Sequence, residues 1–329
     1  MKTTVTERLG IDLPIVLAPM GGAITPKFAA AVSSAGGLGT IPLWSGDLDK
    51  MRASIRELKS LTGKPFAVNL NFAFPMAARL QVCIDEGVEV VSFFWGDPTE
   101  LFDIAKNAGM TVLHSVGDAA SARRAVDAGA DIVVAQGWEA GGHVRGQVAS
   151  MPLIPSVVDA VPGTPVIAAG GIADGRGLAA ALALGAGAGW IGTRFLSAHE
   201  APIHAHYRDR LLKASENDTA YLSNLFDGGW PDAAHRALRN TTVNDWEAAG
   251  RPAPGHRPGE GDTIATSNRL GDIQRYESFT PSEDATGDIE ATSMWAGQTV
   301  GMVKRTQPAA EIVTEIMEEA RAVIKSLPS

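Results

Sequence analysis

Short runs of apolar, largely β-branched residues alternate with longer runs of helical period between residues 15 and 192. The short runs predict strands at 15–20, 38–41, 66–70, 88–93, 111–115, 131–136, 166–169 and 189–192. The longer runs predict helices at 26–35, 48–61, 76–85, 98–107, 119–128, 154–160 and 176–184. Several of these helices end in an Ala-Gly or Glu-Gly pair, and glycine is the usual residue just past a helix C-terminus.

This alternation favours an α/β fold of the (β/α)8 TIM-barrel type over an open doubly wound sheet. The alternation stops after Phe195 and returns as one amphipathic run at 308–324, which we predict to be the eighth barrel helix. The intervening residues 200–295 contain Trp230, Trp246 and Trp295. They also contain a Pro/Gly-rich stretch at 251–259.

We therefore predict a barrel of residues 1–199 and 296–329, with an insertion of residues 200–295 between the eighth strand and the eighth helix. The insertion should be mostly helical, with a long loop at 250–263. Its position places it on the C-terminal face of the barrel, where TIM-barrel active sites lie. A lid or substrate domain is the natural interpretation, and the alternative is a surface for a homodimer.

The chain has 329 residues, of which 45% are hydrophobic, and a net charge of −9 without a basic run. Nucleic acid and anionic membranes are therefore poor partners. Neither a signal peptide nor a membrane span is recognisable, which favours a cytoplasmic location. The single cysteine, Cys83, lies in a predicted helix among apolar residues and should be a buried, inert thiol. No His/Cys/Asp cluster has the spacing of a metal site, so no metal is predicted.

The most informative segment follows the sixth strand. It begins at Gln136, contains three glycines among residues 137–142 and ends at His143. Glycines let backbone approach a flat or anionic ligand closely. A histidine just beyond them can exchange a proton with that ligand. The alternative is a solvated histidine in a Gly-rich loop.

Other predicted strands end in groups that suit the same ligand. Pro19, Met20 and Gly21 could line a flat aromatic ring, whereas the Asn69 amide needs partners of its own. Glycine-rich loops after the last two strands commonly bind phosphate, and here they contain Gly170, Gly171, Gly192 and Thr193. Arg194 could contact that phosphate or stack outward. Because no P-loop, Rossmann fingerprint, serine elbow or strand-end lysine is found, this pattern predicts flavin mononucleotide (FMN).

These residues resemble the nitronate monooxygenase (2-nitropropane dioxygenase-like) flavoproteins along nearly the whole chain. The matching pieces are Ala18-Pro19-Met20-Gly21, Val68-Asn69, Gln136-Gly137, Glu139-Ala140-Gly141-Gly142-His143, Ala169-Gly170-Gly171-Ile172, Gly192-Thr193-Arg194-Phe195, Ala296-Gly297-Gln298 and Val300-Gly301. The Glu-Ala-Gly-Gly-His and Gly-Thr-Arg-Phe pieces are the specific ones. Two positions depart from the family pattern: Val144 separates His143 from Arg145, and Trp190 stands where glutamine is common.

The resemblance implies that His143 is the catalytic base beside the flavin. It also implies FMN contacts from Met20, Gly21, Asn69, Gln136, Gly141, Gly171, Trp190, Ile191, Gly192, Thr193 and Gln298. The implied reaction is the oxidation of alkyl nitronates, or of the parent nitroalkanes, by O2 to a carbonyl compound and nitrite. The alternatives are an NAD(P)H-dependent FMN reductase acting on quinones or an enoyl thioester, and a flavin-binding sensor without turnover.

Overall fold

The computed structural model describes residues 1–44, 46–96 and 99–326. The strands in chain order are β1 (Ile15–Leu17), β2 (Gly39–Pro42), β3 (Phe66–Asn71), β4 (Val90–Phe94), β5 (Thr111–Val116), β6 (Ile132–Gln136), β7 (Gly142–His143), β8 (Val166–Ala169), β9 (Ala188–Ile191), β10 (Thr219–Leu222), β11 (His235–Leu238), β12 (Thr263–Ser267), β13 (Gly271–Gln274) and β14 (Thr286–Gly287). The α-helices are α1 (Thr4–Leu9), α2 (Pro26–Ser34), α3 (Leu48–Leu61), α4 (Ala77–Asp85), α5 (Thr99–Asn107), α6 (Ala119–Asp127), α7 (Ser150–Ala160), α8 (Gly175–Ala183), α9 (Ala205–Lys213), α10 (Thr241–Ala248) and α11 (Ala309–Ser326).

Eight parallel strands form the barrel in the order β1-β9-β8-β6-β5-β4-β3-β2. A parallel bridge between Val16 and Leu38 joins the two edge strands. There Leu38 donates its N–H to the carbonyl of Ile15 at 2.9 Å and accepts from the N–H of Leu17 at 2.9 Å. The predicted TIM barrel is confirmed, and its strands and helices begin and end within a few residues of the predicted positions. Pro98, the predicted first residue of α5, lies outside the described residues.

Apolar side chains fill the barrel interior from its N-terminal end upward. The interior cluster includes Trp190 and residues of the other strands, and it takes in Val5 and Leu9 of α1. The hydroxyl of Thr3, which caps α1, donates to the carbonyl of Gly187 at 2.6 Å. The sequence pattern did not predict α1 because six residues are too few to show a helical period. Because side chains fill the N-terminal end of the barrel, we expect a ligand site at the C-terminal ends of its strands.

The insertion between β9 and α11 is not mostly helical, so that prediction is wrong. It contains only α9 and α10, of 9 and 8 residues. Its five strands, together with β7, form two small antiparallel sheets in the orders β10-β11-β7 and β13-β12-β14. The strand β11 pairs with β7, which belongs to the loop after β6. Local periodicity could not reveal a pairing between such distant segments. The predicted long loop is present, since α10 ends at Ala248 and β12 begins at Thr263.

The prediction for Cys83 is confirmed. Cys83 is buried in α4, and burial raises the pKa of its thiol to about 12, which makes it inert at neutral pH. Across the described ranges, no helix combines the length and the apolar character that a membrane span requires.

Candidate active site

The loop after β6 leads from the barrel rim to His143, and the Gln136 side chain shapes this loop. Gln136 Nε2 donates to the carbonyl of His143 at 2.9 Å, and Gln136 Oε1 accepts from the N–H of Arg145 at 3.0 Å. Pairing of β7 with β11 then sets His143 opposite His235. The Gln136 amide, which we predict to contact the cofactor, is therefore engaged with the loop backbone that presents the histidine.

Three predicted site segments meet at Gly141. A Cβ on Gly141 would lie 2.3 Å from the backbone nitrogen of Gly297, so a side chain cannot fit there. The N–H of Gly297 donates to Thr193 Oγ1 at 3.0 Å, and the N–H of Gln298 donates to the carbonyl of Glu139 at 3.0 Å. The fold thus joins the loop after β6, the end of β9 and the segment before α11.

Gly170 and Gly171 follow β8 in the left-handed region, with φ angles of +84° and +74°, which glycine adopts without strain. A Cβ on Gly171 would lie 2.9 Å from a Glu139 carboxylate oxygen and 2.9 Å from Ser150 Oγ. The Glu139 carboxylate accepts from the backbone N–H of Ser150 at 3.1 Å and from its hydroxyl. A side chain at Gly171 would therefore disturb this pair as well as any ligand nearby.

The ends of β1 and β9 lie side by side. A Cβ on Gly192 would lie 3.5 Å from the sulfur of Met20, and one on Gly21 would lie 2.7 Å from the Trp44 ring. The carbonyl of Gly21 accepts from Thr280 Oγ1 at 2.6 Å. The half-buried Pro19, Met20 and Gly21 therefore lie between the barrel rim and the insertion.

Trp190 and Ile191 point to opposite sides of the barrel wall, as neighbours in a strand must. Trp190 is buried in the interior cluster, whereas Ile191 packs in the outer layer of helices. Ile191 can therefore offer a cofactor only its backbone. The bulky Trp190 ring is part of the barrel core directly below the strand ends.

Two arginines near the predicted site bind protein groups. Arg194 donates from Nη1 to Ser197 Oγ at 2.7 Å and from Nη2 to Gln307 Oε1 at 2.9 Å. Arg145 donates from Nη1 to the carbonyl of Gly96 at 3.0 Å. The guanidinium of Arg194 is therefore engaged by buried protein groups and is not directed at the predicted phosphate site.

Asn69 is buried two residues before the end of β3, and its side-chain amide is engaged by protein groups. Its Oδ1 accepts from Trp44 Nε1 at 2.6 Å, and its Nδ2 donates to Ser92 Oγ at 2.7 Å. The sequence indicates that the Asn69 amide needs hydrogen-bond partners, and Trp44 and Ser92 supply them. Trp44 is tied through this bond to the barrel interior.

Aromatic rings surround His143. Its imidazole stacks on the Trp230 indole, with ring centroids 3.7 Å apart and 23° between the planes. The Trp295 ring lies 5.3 Å away and the Trp95 ring 6.3 Å away. Burial lowers the pKa of His143 well below its usual 6.5, with a smaller contribution from His235. The imidazole is therefore neutral at pH 7, and it can accept a proton.

His235, whose ring centroid is 5.6 Å from that of His143, is a fixed neutral neighbour. Its Nδ1 donates to the carbonyl of Ala233 at 2.8 Å, and its Nε2 accepts from the N–H of Phe226 at 3.1 Å. Burial lowers its pKa to about 4. Both ring nitrogens are used, so His235 has no free atom with which to exchange a proton.

The strand ends fit the FMN that the sequence predicts. The Gly170–Gly171 pair and Gly192 directly follow β8 and β9, and Gly21 lies in the segment that follows β1. These three strands are neighbours in the barrel. A 3-10 helix, Thr193–Ser197, begins beside them. Nearby, His143 Nε2 is buried without a protein partner, as expected where a ligand completes a site.

Sequence reasoning missed most of the aromatic enclosure. The residues added by the structure are Trp44, Phe74, Phe94, Trp95, Trp230 and His235. Trp44, Phe94 and Trp95 could have been found, since each follows a predicted strand within a few residues. Trp230 and His235 belong to the insertion, where the sequence offers no signal of what they contact.

Comparisons with known proteins agree with this architecture. The family model described as nitronate monooxygenase matches residues 2–76 and 71–319. A (3aS,4S,5R,7aS)-5-hydroxy-7a-methyl-1-oxo-octahydro-1H-indene-4-carboxyl-CoA dehydrogenase of Mycobacterium tuberculosis is 40% identical over 76% of this chain and 70% of its own length.

A nitronate monooxygenase of Pseudomonas aeruginosa is 34% identical over 98% of this chain and 100% of its own length. The structure of FabK from Thermotoga maritima superposes with a TM-score of 0.84 at 36% identity, covering 99% of this chain and 98% of that one. On these matches, the chain belongs to the nitronate monooxygenase family of flavin-dependent oxidoreductases.

Proposed function

We propose that this chain is an FMN-dependent nitronate monooxygenase that oxidises alkyl nitronates with O2 to carbonyl compounds and nitrite. The C=N bond of the nitronate breaks, and nitrogen leaves as nitrite. The two atoms of one O2 become the carbonyl oxygens of two product molecules, so no external reductant is needed. The observation that carries the proposal is the neutral, partnerless His143 Nε2 at the mouth of the barrel.

Different residues of the chain bind the cofactor, remove the proton and exclude water. The backbone at Gly170, Gly171, Gly192 and Thr193 would hold the FMN phosphate, and the segment ending in Gly21 would lie along the ring. FMN, when bound, supplies the electron acceptor. His143 removes the α-proton of a neutral nitroalkane, and the aromatic enclosure excludes water from the resulting anion.

The test replaces His143 with Asn, which keeps the size but cannot take up the proton. General-base catalysis contributes on the order of 10²–10⁴-fold, so turnover of neutral nitroalkanes should fall by about that factor. Turnover of pre-formed nitronates should fall much less, because that proton is already gone. Steady-state rates on the two forms of propyl substrate measure the difference.

Two controls accompany this variant. Flavin released by acid from the wild type and from His143→Asn should be FMN, about one per chain, since glycine backbone at other strand ends would hold it. Equal losses on both substrate forms would assign His143 to positioning. Flavin that stays attached after acid, or that is released as FAD, would contradict the cofactor assignment.

A second candidate is an NAD(P)H-dependent FMN reductase acting on quinones or an enoyl thioester. The similarity to the mycobacterial CoA-thioester dehydrogenase favours it. Anaerobic stopped-flow measurement separates the two functions. Bleaching of the flavin by propyl nitronate supports the monooxygenase, whereas bleaching by NADH or NADPH supports the second candidate.

A further inference from the structure

Trp230 belongs to the insertion but lies inside the aromatic enclosure at the barrel mouth. It is in the irregular segment between β10 and β11, and its residue is only 5% exposed. The neighbouring Gly228 anchors this segment, because its N–H donates to the carbonyl of Tyr276 at 3.0 Å. Asp227, three residues before Trp230, pairs with Arg257 at 2.7 Å.

The Trp230 indole contacts rings from the ends of four barrel strands. It stacks face to face on His143, which follows β6. Four further rings meet it edge-on at centroid distances of 5.4–6.3 Å: Trp95, Phe94, Phe74 and Trp44. One side chain of the insertion therefore covers the space bounded by β2, β3, β4 and β6.

Two polar atoms in this stack have no protein partner, namely His143 Nε2 and Trp230 Nε1. Each is shielded from solvent, and leaving a buried polar group unpaired is unfavourable. The pairing with β11 and the Gln136 bonds fix the backbone at His143. Trp230 lies outside the strands and helices, and its segment is anchored at Asp227 and Gly228. Its side chain is therefore the partner in the stack that can move.

We propose that Trp230 determines substrate size: its indole covers the His143 imidazole and must turn aside before a substrate carbon can reach Nε2. The inference rests on the proposed function for the identity of the substrate. A bulky substituent on the reacting carbon competes for the volume that the indole fills. The partnerless indole N–H can donate to a nitro oxygen, which gives the ring a role in binding as well as in exclusion.

The first experiment compares Trp230→Ala and Trp230→Phe with the wild type on nitroethane, 1-nitrohexane and nitrocyclohexane. One methylene in an apolar pocket changes kcat/KM by about 10–200-fold, so Trp230→Ala should raise the preference for nitrocyclohexane over nitroethane by at least about tenfold. Trp230→Phe keeps a ring and should give an intermediate value. An unchanged preference in both variants would overturn the proposal.

Trp246→Phe is the matched control. Trp246 is a second buried tryptophan of the insertion, and its Nε1 donates to the carbonyl of Pro252 at 2.9 Å. Its loss should lower the melting temperature without altering the substrate preference. The same shift in preference from Trp246→Phe would mean that any loosening of the insertion suffices, and the specific role of Trp230 would be refuted.

A second measurement needs no turnover. Diethylpyrocarbonate modifies accessible neutral imidazoles, and peptide mapping reports the rate at His143 alone. Trp230→Ala should accelerate this modification several-fold, whereas Trp246→Phe should leave it unchanged. If the wild-type enzyme turned over no nitro compound, the proposed function would be refuted. The modification rate at His143 would still test whether the Trp230 indole covers the imidazole. An unchanged modification rate of His143 in Trp230→Ala would refute the proposal that Trp230 covers this histidine.

Discussion

Asn69 and Gln136 each use both ends of an amide group on protein partners. Their places at strand ends follow from the sequence, but these partners do not. His143 differs from both, because its Nε2 has no protein partner. A neutral imidazole with a free ring nitrogen is the one group among the three that is left for proton transfer.

The pH dependence of activity should reflect the buried environment of His143. Its pKa is lowered, mainly by burial and secondarily by His235, so the imidazole stays unprotonated as the pH falls through 6.5. The kcat/KM for nitroethane should remain level there and decline only well below pH 6.5, where the base takes up a proton. A pH profile over pH 4.5–8 makes the measurement, and a midpoint at the ordinary histidine value would indicate a solvated ring.

Among the elements, the loop after β6 connects the barrel with the insertion. β7 pairs with β11 on one side, and Gly141 abuts Gly297 on the other. The loop therefore sets the position of His143 relative to Thr193 and Gln298. The close approach of the two backbones explains why glycine occupies both positions, Gly141 and Gly297.

Gly141→Ala and Gly142→Ala form a matched pair. The added Cβ at Gly141 would lie 2.3 Å from Gly297 N, whereas at Gly142, which has φ +70°, nothing lies within 4 Å. Overpacking costs about 1–3 kcal/mol, and a left-handed alanine costs about 1–2 kcal/mol. Both variants should lose stability, but only Gly141→Ala should also lose FMN on gel filtration. Equal FMN retention in the two variants would contradict the proposed link between this contact and the cofactor site.

At the scale of the whole molecule, the insertion and the barrel share one core. Ile203, Tyr207 and Leu211 of the insertion pack in the same cluster as Phe195 and Ile312. Such mixing predicts that the insertion does not unfold by itself. It also ties the segment bearing Trp230 to the stability of the entire chain.

Arg257→Met tests this cooperativity. Arg257 pairs with Asp227 at 2.7 Å and lies over the Tyr276 ring, and removal of one partner of a buried pair costs about 3–5 kcal/mol. Calorimetry should show one transition, shifted as a whole to lower temperature. Arg251→Met, which removes the exposed pair with Glu247, should change little. Separate transitions for the barrel and the insertion would refute the shared core.

Much of the fold could be predicted because local pattern determines it. Buried parallel strands are short apolar runs, and the intervening helices show their own period and end at glycines. The same regularity places Met20, Gln136, Gly171 and Thr193 at one end of the barrel. These positions follow from the order of strands and helices, without knowledge of any side-chain contact.

Only the tertiary structure decided which side chains contact one another at the C-terminal end of the barrel. The short strand β7 exists because it pairs with β11, almost a hundred residues later, and no local pattern encodes such a partner. For the same reason the stack of Trp230 on His143, and the neutral state that burial imposes on that histidine, could not be predicted. The sequence by itself determined the barrel and the residues at its rim. Contacts between distant segments determined which of those residues are left free to react.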